Sequence, residues 1–418
     1  MVAAALLLSA CQVDRLTGDW LQQPTTEPAA AAAAGPSLLA APAHSVSGWV
    51  PYWGTESSRA AIAAYPGTVG DVSPLFYGAN DDGTLRLLGP QAQLNATVQA
   101  ARTAGLPLIV GIFDSTAPGV MSGIIADPAS RTAHVQQIVA LAMDKGYDGI
   151  DLDYEVFAFN QRPQWGEIKP NWIAFVKELS AELHARGRLL SVTVPPVYQL
   201  LPLGPLSGYT VYAQQEIAPF VDRLRLMVYD WSVSSPGPIS PLFWMDSVIE
   251  YSSSVVADKS KLQLGVPVYG RHWVTKRNAN ETCPDGAVRR DSVLTKNLGA
   301  LAAGHDVTRD PASGEITFTW TETVSGPRTK PLTPPVVPPA TVTIDDIPSG
   351  ATGTPPTPAL RLSTPSALVT CTVVHTVFVP DEFTVQGRVE AAQAAGWRGI
   401  ILWAFGYENS ALFPLLAS

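Results

Sequence analysis

Four carboxylates fall within eight residues of one largely apolar stretch, the segment YDGIDLDYE that ends in Glu155. Because side chains alternate along a β-strand, Asp151, Asp153 and Glu155 should point to one face and the apolar side chains between them to the other. Like charges this close cannot all ionise at low cost, so at least one carboxyl should keep its proton near neutral pH. A protonated carboxyl is the group that general acid catalysis requires.

The same acidic spacing has an alternative interpretation as a Ca²⁺ or Mg²⁺ loop. An apolar strand, however, cannot wrap its oxygens around one ion as an EF-hand loop does. The six histidines are scattered, and the sequence has no HExxH or CxxC pair, no GxGxxG motif and no P-loop. We therefore expect no metal and no cofactor.

The composition excludes several classes of protein. The chain has 418 residues, 46% of them hydrophobic and 15% charged, which is typical of a globular protein with a large core. A formal net charge of −9 and the lack of a basic block argue against a nucleic-acid partner. No apolar run reaches the ~18 to 20 residues that a membrane-spanning helix needs, so we expect no transmembrane segment.

The acids must be positioned by a repeated βα pattern that begins at Val46. Asp127-Pro128 predicts a helix start and Gly146 its end, and a second helix is predicted over Asn171 to Gly187. The predicted strands are Gly48–Trp53, Val72–Tyr77, Leu108–Phe113, Gly149–Tyr154, Leu189–Pro195, Leu224–Tyr229, Leu262–Val268 and Gly399–Ala404.

Eight strands of this kind predict an α/β fold, a (β/α)8 TIM barrel over residues 46–418 with an insertion at 274–377 between strands seven and eight. The insertion breaks the alternation and contains the Pro-rich segment Lys330 to Pro358. Without it the length is close to the ~250 residues typical of such a barrel. A doubly wound open sheet is the alternative, but the Gly-rich first turn that would favour it is missing. In a barrel, Glu155 would lie furthest toward the C-terminal mouth, where active sites are found.

The segment DGIDLDYE at residues 148–155 resembles the DGxDxDxE signature of glycoside hydrolase family 18, the chitinase and endo-N-acetylglucosaminidase family. MVYD at 227–230 resembles the family's MxYD, GVPVYGR at 265–271 resembles its GxPxYGR, and Trp403 lies on the predicted last strand. The resemblance implies a retaining glycoside hydrolase that cleaves β-1,4 linkages of N-acetylglucosamine-containing glycans, namely chitin, chito-oligosaccharides or peptidoglycan. In this family the nucleophile is the substrate's own 2-acetamido group.

The resemblance also implies a role for each motif residue. Glu155 would protonate the glycosidic oxygen, Asp153 would orient and stabilise the acetamido group, and Asp151 is counted with them among the catalytic residues. Tyr229 and Asp230 would hold that group, with Tyr229 counted among the catalytic residues. The residues assigned to substrate binding are Asp230, Met227, Trp403, Tyr77, Trp53 and Arg271.

Aromatic residues near the strand ends leave two interpretations open. Trp403 could form the floor of the sugar pocket and Tyr229 could contact substrate, or each could be an ordinary core residue. Trp49, Trp53, Tyr77 and Trp231 could stack on sugars or simply close the barrel.

The chain departs from the family at the third strand, where Leu108 to Asp114 replaces the usual SxGG-like turn. This disfavours specialisation on crystalline chitin, and the segments Ser73–Tyr77 and Trp403–Glu408 look more like the bacterial cell-wall and spore-cortex-lytic branch. A catalytically inactive, lectin-like member on the cell surface is the alternative, as is an adhesion lipoprotein. A lectin-like member usually loses the terminal Glu or its helper Asp, and both remain here.

Residues 1–11, MVAAALLLSAC, resemble a signal peptide with a lipobox, which would make Cys11 a lipidated N-terminus. Residues 12–45 form an Ala- and Pro-rich tract that suits a tether. The remaining pair, Cys283 and Cys371, could form a disulfide, which supports export. A chance Cys11 and two unpaired thiols in a cytosolic protein are the alternatives. We expect a monomer outside the cytoplasm, lipid-anchored at a bacterial membrane or secreted, with the lipid as its only membrane attachment.

Overall fold

The computed structural model describes residues 46–201, 204–328 and 367–417. The predicted lipobox with Cys11, the tether at 12–45 and the Pro-rich part of the insertion all lie outside these residues.

Eight parallel strands form a closed barrel, which confirms the predicted fold class. Consecutive strands are neighbours throughout, and β1 pairs in parallel with both β2 and β8, which closes the sheet. The strands are β1 Val46–Pro51, β2 Val69–Ala79, β3 Ile109–Phe113, β4 Gly149–Asp153, β5 Leu189–Val194, β6 Arg223–Met227, β7 Leu262–Pro267 and β8 Gly399–Trp403. Short additional strands are Leu85–Leu87, Val197–Tyr198 and Ser207–Gly208.

Helices connect the strands and cover the outside of the barrel. Pro128–Lys145 begins where Asp127 accepts a hydrogen bond from the backbone N–H of Ser130, and it ends at Gly146 with a left-handed φ of 64°. No helix in the described part of the chain has the length and apolar character to cross a membrane. The other α-helices are Thr55–Ala64, Gln91–Thr103, Val120–Ala126, Val156–Asn160, Trp165–His184, Gln214–Ile217, Leu242–Val255, Leu298–Ala302, Glu382–Ala394 and Leu412–Leu416.

The main core lies between the strands and these helices. Ile150 and Leu152 of β4 are fully buried in the same cluster as Trp172 and Phe175 of the helix Trp165–His184. Burying a large apolar side chain contributes about 1.5 to 3 kcal/mol. A shift of one residue in the register of β4 would turn these side chains toward the barrel axis. Their packing therefore fixes which face of β4 points to the axis.

The insertion between β7 and β8 forms a five-stranded antiparallel sheet, with the strands in the spatial order Arg289–Leu294, Tyr269–Lys276, Ala367–Val379, Ile316–Arg328 and Thr308–Arg309. It begins at Tyr269 and ends at Val379, so it extends beyond the predicted limits of 274 and 377 at both ends. Cys283 and Cys371 form a disulfide within it, with a Cα–Cα distance of 5.1 Å.

Candidate active site

β4 carries the acidic motif to the mouth of the barrel. All five residues of Gly149–Asp153 are buried, and Glu155 stands just beyond the strand, immediately before the helix Val156–Asn160. A cleft of about 600 Å³ opens at this mouth. Asp153 and Glu155 lie in its wall.

The lining of the cleft is largely aromatic. Rings reach it from the ends of several barrel strands, from the loops after them and from the start of the insertion. A concave site with aromatic walls and a few convergent polar groups is typical of a small-molecule or sugar site. The lining aromatic residues are Trp53, Phe113, Phe159, Tyr198, Tyr209, Tyr229, Trp231, Trp244, Tyr269 and Trp403.

Asp151 lies beneath the cleft, and its carboxylate is held from across the barrel. Oδ2 accepts hydrogen bonds from the Trp49 indole N–H at 2.9 Å and from the Arg225 guanidinium at 2.6 Å. Oδ1 accepts one from the Thr193 hydroxyl at 2.9 Å. Asp151 is fully buried and outside the cleft lining. We therefore correct its predicted role from catalytic residue to support beneath Asp153.

Asp153 and Glu155 behave as one coupled acid pair. Burial raises the pKa of Asp153 well above its ordinary value, and the negative charges of Glu155 and Asp151 raise it further. Burial also raises the pKa of Glu155 to about 7; a hydrogen bond with Asp153 opposes this shift, and the charges of Asp230 and Asp114 add to it. Because the two carboxyls cannot both ionise cheaply, the pair keeps at least one proton near neutral pH.

Tyr229 and Asp230 form the part of the wall contributed by the end of β6. Burial raises the pKa of Tyr229 well above its ordinary value, so it remains a neutral hydroxyl that can donate a hydrogen bond. Asp230 accepts hydrogen bonds from the Tyr269 hydroxyl and the Arg271 guanidinium, each at 2.6 Å. Tyr269 and Arg271 open the first strand of the insertion, which thereby fixes the Asp230 carboxylate. Arg271 is not among the residues that line the cleft, and its contact with the site is through Asp230.

A buried carboxylate of the insertion fastens the loop that follows β6. Glu315 accepts hydrogen bonds from the backbone N–H groups of Ile239 at 2.9 Å and Ser240 at 2.8 Å, and it pairs with Arg388 at 3.3 Å. The backbone N–H of Trp231 donates to the Ile239 carbonyl at 2.9 Å, which closes the loop on itself. The insertion therefore also positions Trp231 in the cleft wall.

Trp403 ends β8 and stands among other aromatic rings. Its ring meets those of Trp49 and Trp53 edge-on, with centroid distances of 5.8 Å and 6.4 Å. The indole N–H of Trp53 donates to the Tyr407 hydroxyl at 2.8 Å. These contacts hold Trp403 and Trp53 as a fixed aromatic surface at one side of the acid pair.

The structure brings most of the predicted site residues together but not all of them. Tyr77 is buried in the core, and its hydroxyl lies 3.0 Å from that of Tyr147, so we correct the predicted substrate contact. Trp49 is buried against Asp151 and helps to close the barrel. The predicted residues that line the cleft are Glu155, Asp153, Tyr229, Asp230, Met227, Trp53, Trp231 and Trp403.

Sequence reasoning missed four aromatic residues outside the barrel strands: Phe159 and Trp244 on two helices, Tyr198 on a short strand and Tyr209 in a loop. They belong to none of the motifs, and their only signal was a position after a predicted strand. Asp114, a buried acid directly after β3, was also missed. No group of three or more His, Cys, Asp or Glu side chains in the described ranges is arranged to hold a metal ion.

A closed parallel barrel with a carboxyl pair in an aromatic cleft at its C-terminal mouth is an arrangement that suits a glycoside hydrolase of the barrel type. The chain matches the family model for glycosyl hydrolases family 18 over residues 49–345 and belongs to this family, as its motifs predicted.

Similar proteins include bacterial members of the family. The chain is 28% identical over 158 residues to the putative sporulation-specific glycosylase YdhD of Bacillus subtilis, a match covering 37% of this chain and 34% of that protein. It thus spans about a third of that curated relative. The chitinase from Chromobacterium violaceum superposes with a TM-score of 0.64 at 21% identity, covering 89% of this chain and 98% of the other. The spore cortex-lytic enzyme SleL of Bacillus megaterium superposes with a TM-score of 0.65 at 16% identity, covering 90% of this chain and 73% of the other. The two solved structures show the same fold.

Proposed function

We propose that the protein hydrolyses β-1,4 linkages of N-acetylglucosamine-containing glycans with retention of configuration, by substrate-assisted catalysis. The observation that carries this proposal is the coupled pair of Asp153 and Glu155 in the wall of an aromatic cleft. One protonated carboxyl with a helper is enough when the sugar supplies the nucleophile, as in family 18.

Glu155 is the general acid of the proposed reaction. Its raised pKa, about 7, lets it keep a proton near neutral pH. As the acetamido carbonyl oxygen attacks the anomeric carbon, the glycosidic bond breaks and the leaving oxygen takes the proton of Glu155. Glu155, now a carboxylate, then removes a proton from the water that opens the oxazolinium ring. The second attack restores the β-configuration, and Glu155 regains its proton.

Asp153 and Tyr229 are placed to hold the acetamido group in this reaction. Oδ1 of Asp153 is buried and has no hydrogen-bond partner among the described residues, so it is available to accept the acetamido N–H. Tyr229, a neutral hydroxyl in the cleft wall, can donate to the acetamido oxygen. Such contacts would bring the nucleophilic oxygen close to the anomeric carbon, which lowers the entropic cost of the attack.

The test compares two substrates that differ in the acetamido group. The wild type should release the fluorophore from a chitotriose glycoside and should leave the matching β-1,4-glucose glycoside intact, because the latter lacks the nucleophile. Comparable turnover of both substrates would rule out the substrate-assisted route. If the protein neither turns over the chitotriose glycoside nor releases products from peptidoglycan, the proposed activity is ruled out.

We also propose that the protein works outside the cytoplasm, attached through lipid on Cys11. The buried Cys283–Cys371 disulfide supports this, because disulfides persist in oxidising compartments. The variant Cys11→Ser should move from the membrane fraction to the soluble fraction, with unchanged activity on small substrates. Wild-type protein found in the cytoplasm with two free thiols would contradict the proposal.

A further inference from the structure

Asp114 is a buried acid that the proposed reaction does not use. It follows β3 directly, where the chain departs from the family's SxGG-like turn, and it is 5% exposed. A carboxyl is costly to bury unless hydrogen bonds satisfy it. Its partners therefore indicate what it does.

The contacts of Asp114 reach the catalytic loop on both sides of Glu155. Its backbone N–H donates to the carbonyl oxygen of Asp153 at 3.2 Å, two residues before Glu155. Its side-chain Oδ2 accepts from the backbone N–H of Phe157 at 3.2 Å, two residues after Glu155. Oδ1 accepts from the Thr116 hydroxyl at 2.7 Å and from the Thr116 N–H at 3.3 Å, which orients the carboxyl.

We propose that Asp114 is a positioning residue for the catalytic acid, which fixes the backbone on both sides of Glu155 and places a negative charge beside it. The inference rests on the proposed function, in which Glu155 is the general acid. No motif and no sequence prediction assigned a role to Asp114.

The side chain of Asp114 meets three donors, which suits an ionised carboxylate. Burial raises its own pKa, and the hydrogen bonds from Thr116 and Phe157 counter that effect. The charge of Asp114 in turn favours the protonated forms of Asp153 and Glu155. The other titratable groups around Asp114 and Glu155 are Asp81, Asp151, Asp230, Tyr154, Tyr209, Tyr212 and Tyr229.

Two substitutions separate the charge from the backbone contact. In Asp114→Asn the amide oxygen can still accept from the Phe157 N–H, and the amide nitrogen can donate to the Thr116 hydroxyl, so the loop is held without the charge. In Asp114→Ala both the charge and the side-chain contact are lost. Thr116→Ser keeps the hydroxyl that donates to Asp114 and serves as the matched control.

The pH dependence of kcat/KM on the chitotriose glycoside measures how the charge of Asp114 affects the ionisation of Glu155. For Asp114→Asn we expect the alkaline limb to move down by about 0.5 to 1 pH unit, since removing a nearby negative charge lets Glu155 lose its proton earlier. For Asp114→Ala we expect kcat to fall about tenfold or more at every pH with little change in KM, because Glu155 is displaced. Thr116→Ser should keep the wild-type limb. A wild-type limb in Asp114→Asn, or wild-type kcat in Asp114→Ala, would overturn the proposal.

A second readout needs no turnover. The titration of Glu155 can be followed by ¹³C NMR of carboxyl-labelled protein, with its signal assigned by Glu155→Gln, and its midpoint should be lower in Asp114→Asn than in the wild type. An unchanged midpoint overturns this inference even when the wild type is active. An inactive wild type instead contradicts the proposed function, and the NMR midpoint still decides the role of Asp114. If circular dichroism shows that Asp114→Ala does not fold, the role of Asp114 is decided by Asp114→Asn alone, from its pH dependence of kcat/KM and its NMR midpoint for Glu155.

Discussion

Glu155 depends on its surroundings for its chemistry, because a carboxyl in water would be ionised at neutral pH. Substituting Glu155→Gln removes the transferable proton but keeps the size of the side chain. We expect kcat to fall by about 10² to 10⁴ or more, the usual contribution of general acid catalysis, while glycan binding and the folded structure persist. Steady-state kinetics and calorimetric glycan titration check this. Turnover near that of the wild type would remove Glu155 from the assigned role.

The raised pKa of Glu155 predicts two effects of pH. Activity needs the protonated form, so kcat/KM should decline as the pH rises through about 7. The folded state also binds this proton more tightly than the unfolded chain, whose carboxyl has an ordinary pKa of 4.5. The free energy of unfolding should therefore fall as the pH rises from 4.5 to about 7.

In Glu155→Gln this pH-dependent loss is absent, so the variant should gain stability relative to the wild type above pH 7, by about 1 to 3 kcal/mol. Denaturant unfolding of both proteins at pH 5 and pH 8 measures the difference. Equal differences in stability at the two pH values would contradict the assigned pKa.

Most of the acids and polar residues of the site could be predicted, because they belong to motifs at strand ends. Tyr77 could not be placed correctly, because the pairing of β2 with β3 is irregular between Leu75 and Tyr77. Leu75 packs with Trp49 inside the barrel, whereas Tyr77 packs in the outer core. An irregularity of this kind changes the face of every residue beyond it, and the sequence pattern alone does not reveal it.

At the scale of elements, periodicity predicted the eight strands and the start of the helix Pro128–Lys145. The helix predicted from Asn171 begins at Trp165 instead and contains Pro170. The predicted start lies directly after Pro170 in the sequence. Ile168, buried at 5% exposure, extends the apolar stripe before Pro170, and its packing favours the longer helix.

The insertion was the element least accessible from sequence. Its two longest strands, Ile316–Arg328 and Ala367–Val379, pair along their whole length although the Pro-rich segment separates them in the chain. Their alternating pattern was a usable signal, but the pairing partners and the register depend on contacts distant in sequence. The contacts of Tyr269 and Arg271 with Asp230 were hidden for the same reason.

The disulfide should stabilise the insertion, because it joins residues 88 positions apart. In the double variant Cys283→Ala and Cys371→Ala we expect a loss of about 2 to 4 kcal/mol. Hydrogen exchange should accelerate in the strands Tyr269–Lys276 and Ala367–Val379 while β4 stays protected. KM should rise, because this sheet holds Asp230 through Tyr269 and Arg271.

Mass spectrometry of deuterium uptake, with steady-state kinetics on the same samples, measures both effects. A uniform increase of uptake over barrel and insertion would show that the disulfide stabilises the molecule as a whole. Unchanged uptake everywhere would show that it contributes no stability to the insertion.

At the scale of the whole molecule, the cleft is a joint product of barrel and insertion. The barrel supplies Asp153 and Glu155; Asp114 after β3 contacts the backbone of Asp153, and Arg225 of β6 holds Asp151. The insertion fixes Asp230 and, through Glu315, the loop that carries Trp231. The fold class followed from the count of strands, and the acid pair from one motif. The shape of the cleft did not, because several of its rings come from loops and short elements whose positions depend on tertiary contacts.

The central claim is that the sugar's acetamido group is the nucleophile and that two displacements restore the original configuration. The most direct test is a ¹H NMR time course of chito-oligosaccharide hydrolysis, recorded before the new reducing ends mutarotate. Our account predicts that the β-anomer appears first and that the α-anomer grows only at the rate of mutarotation. An initial excess of the α-anomer would show a single inverting displacement by water and would contradict the account.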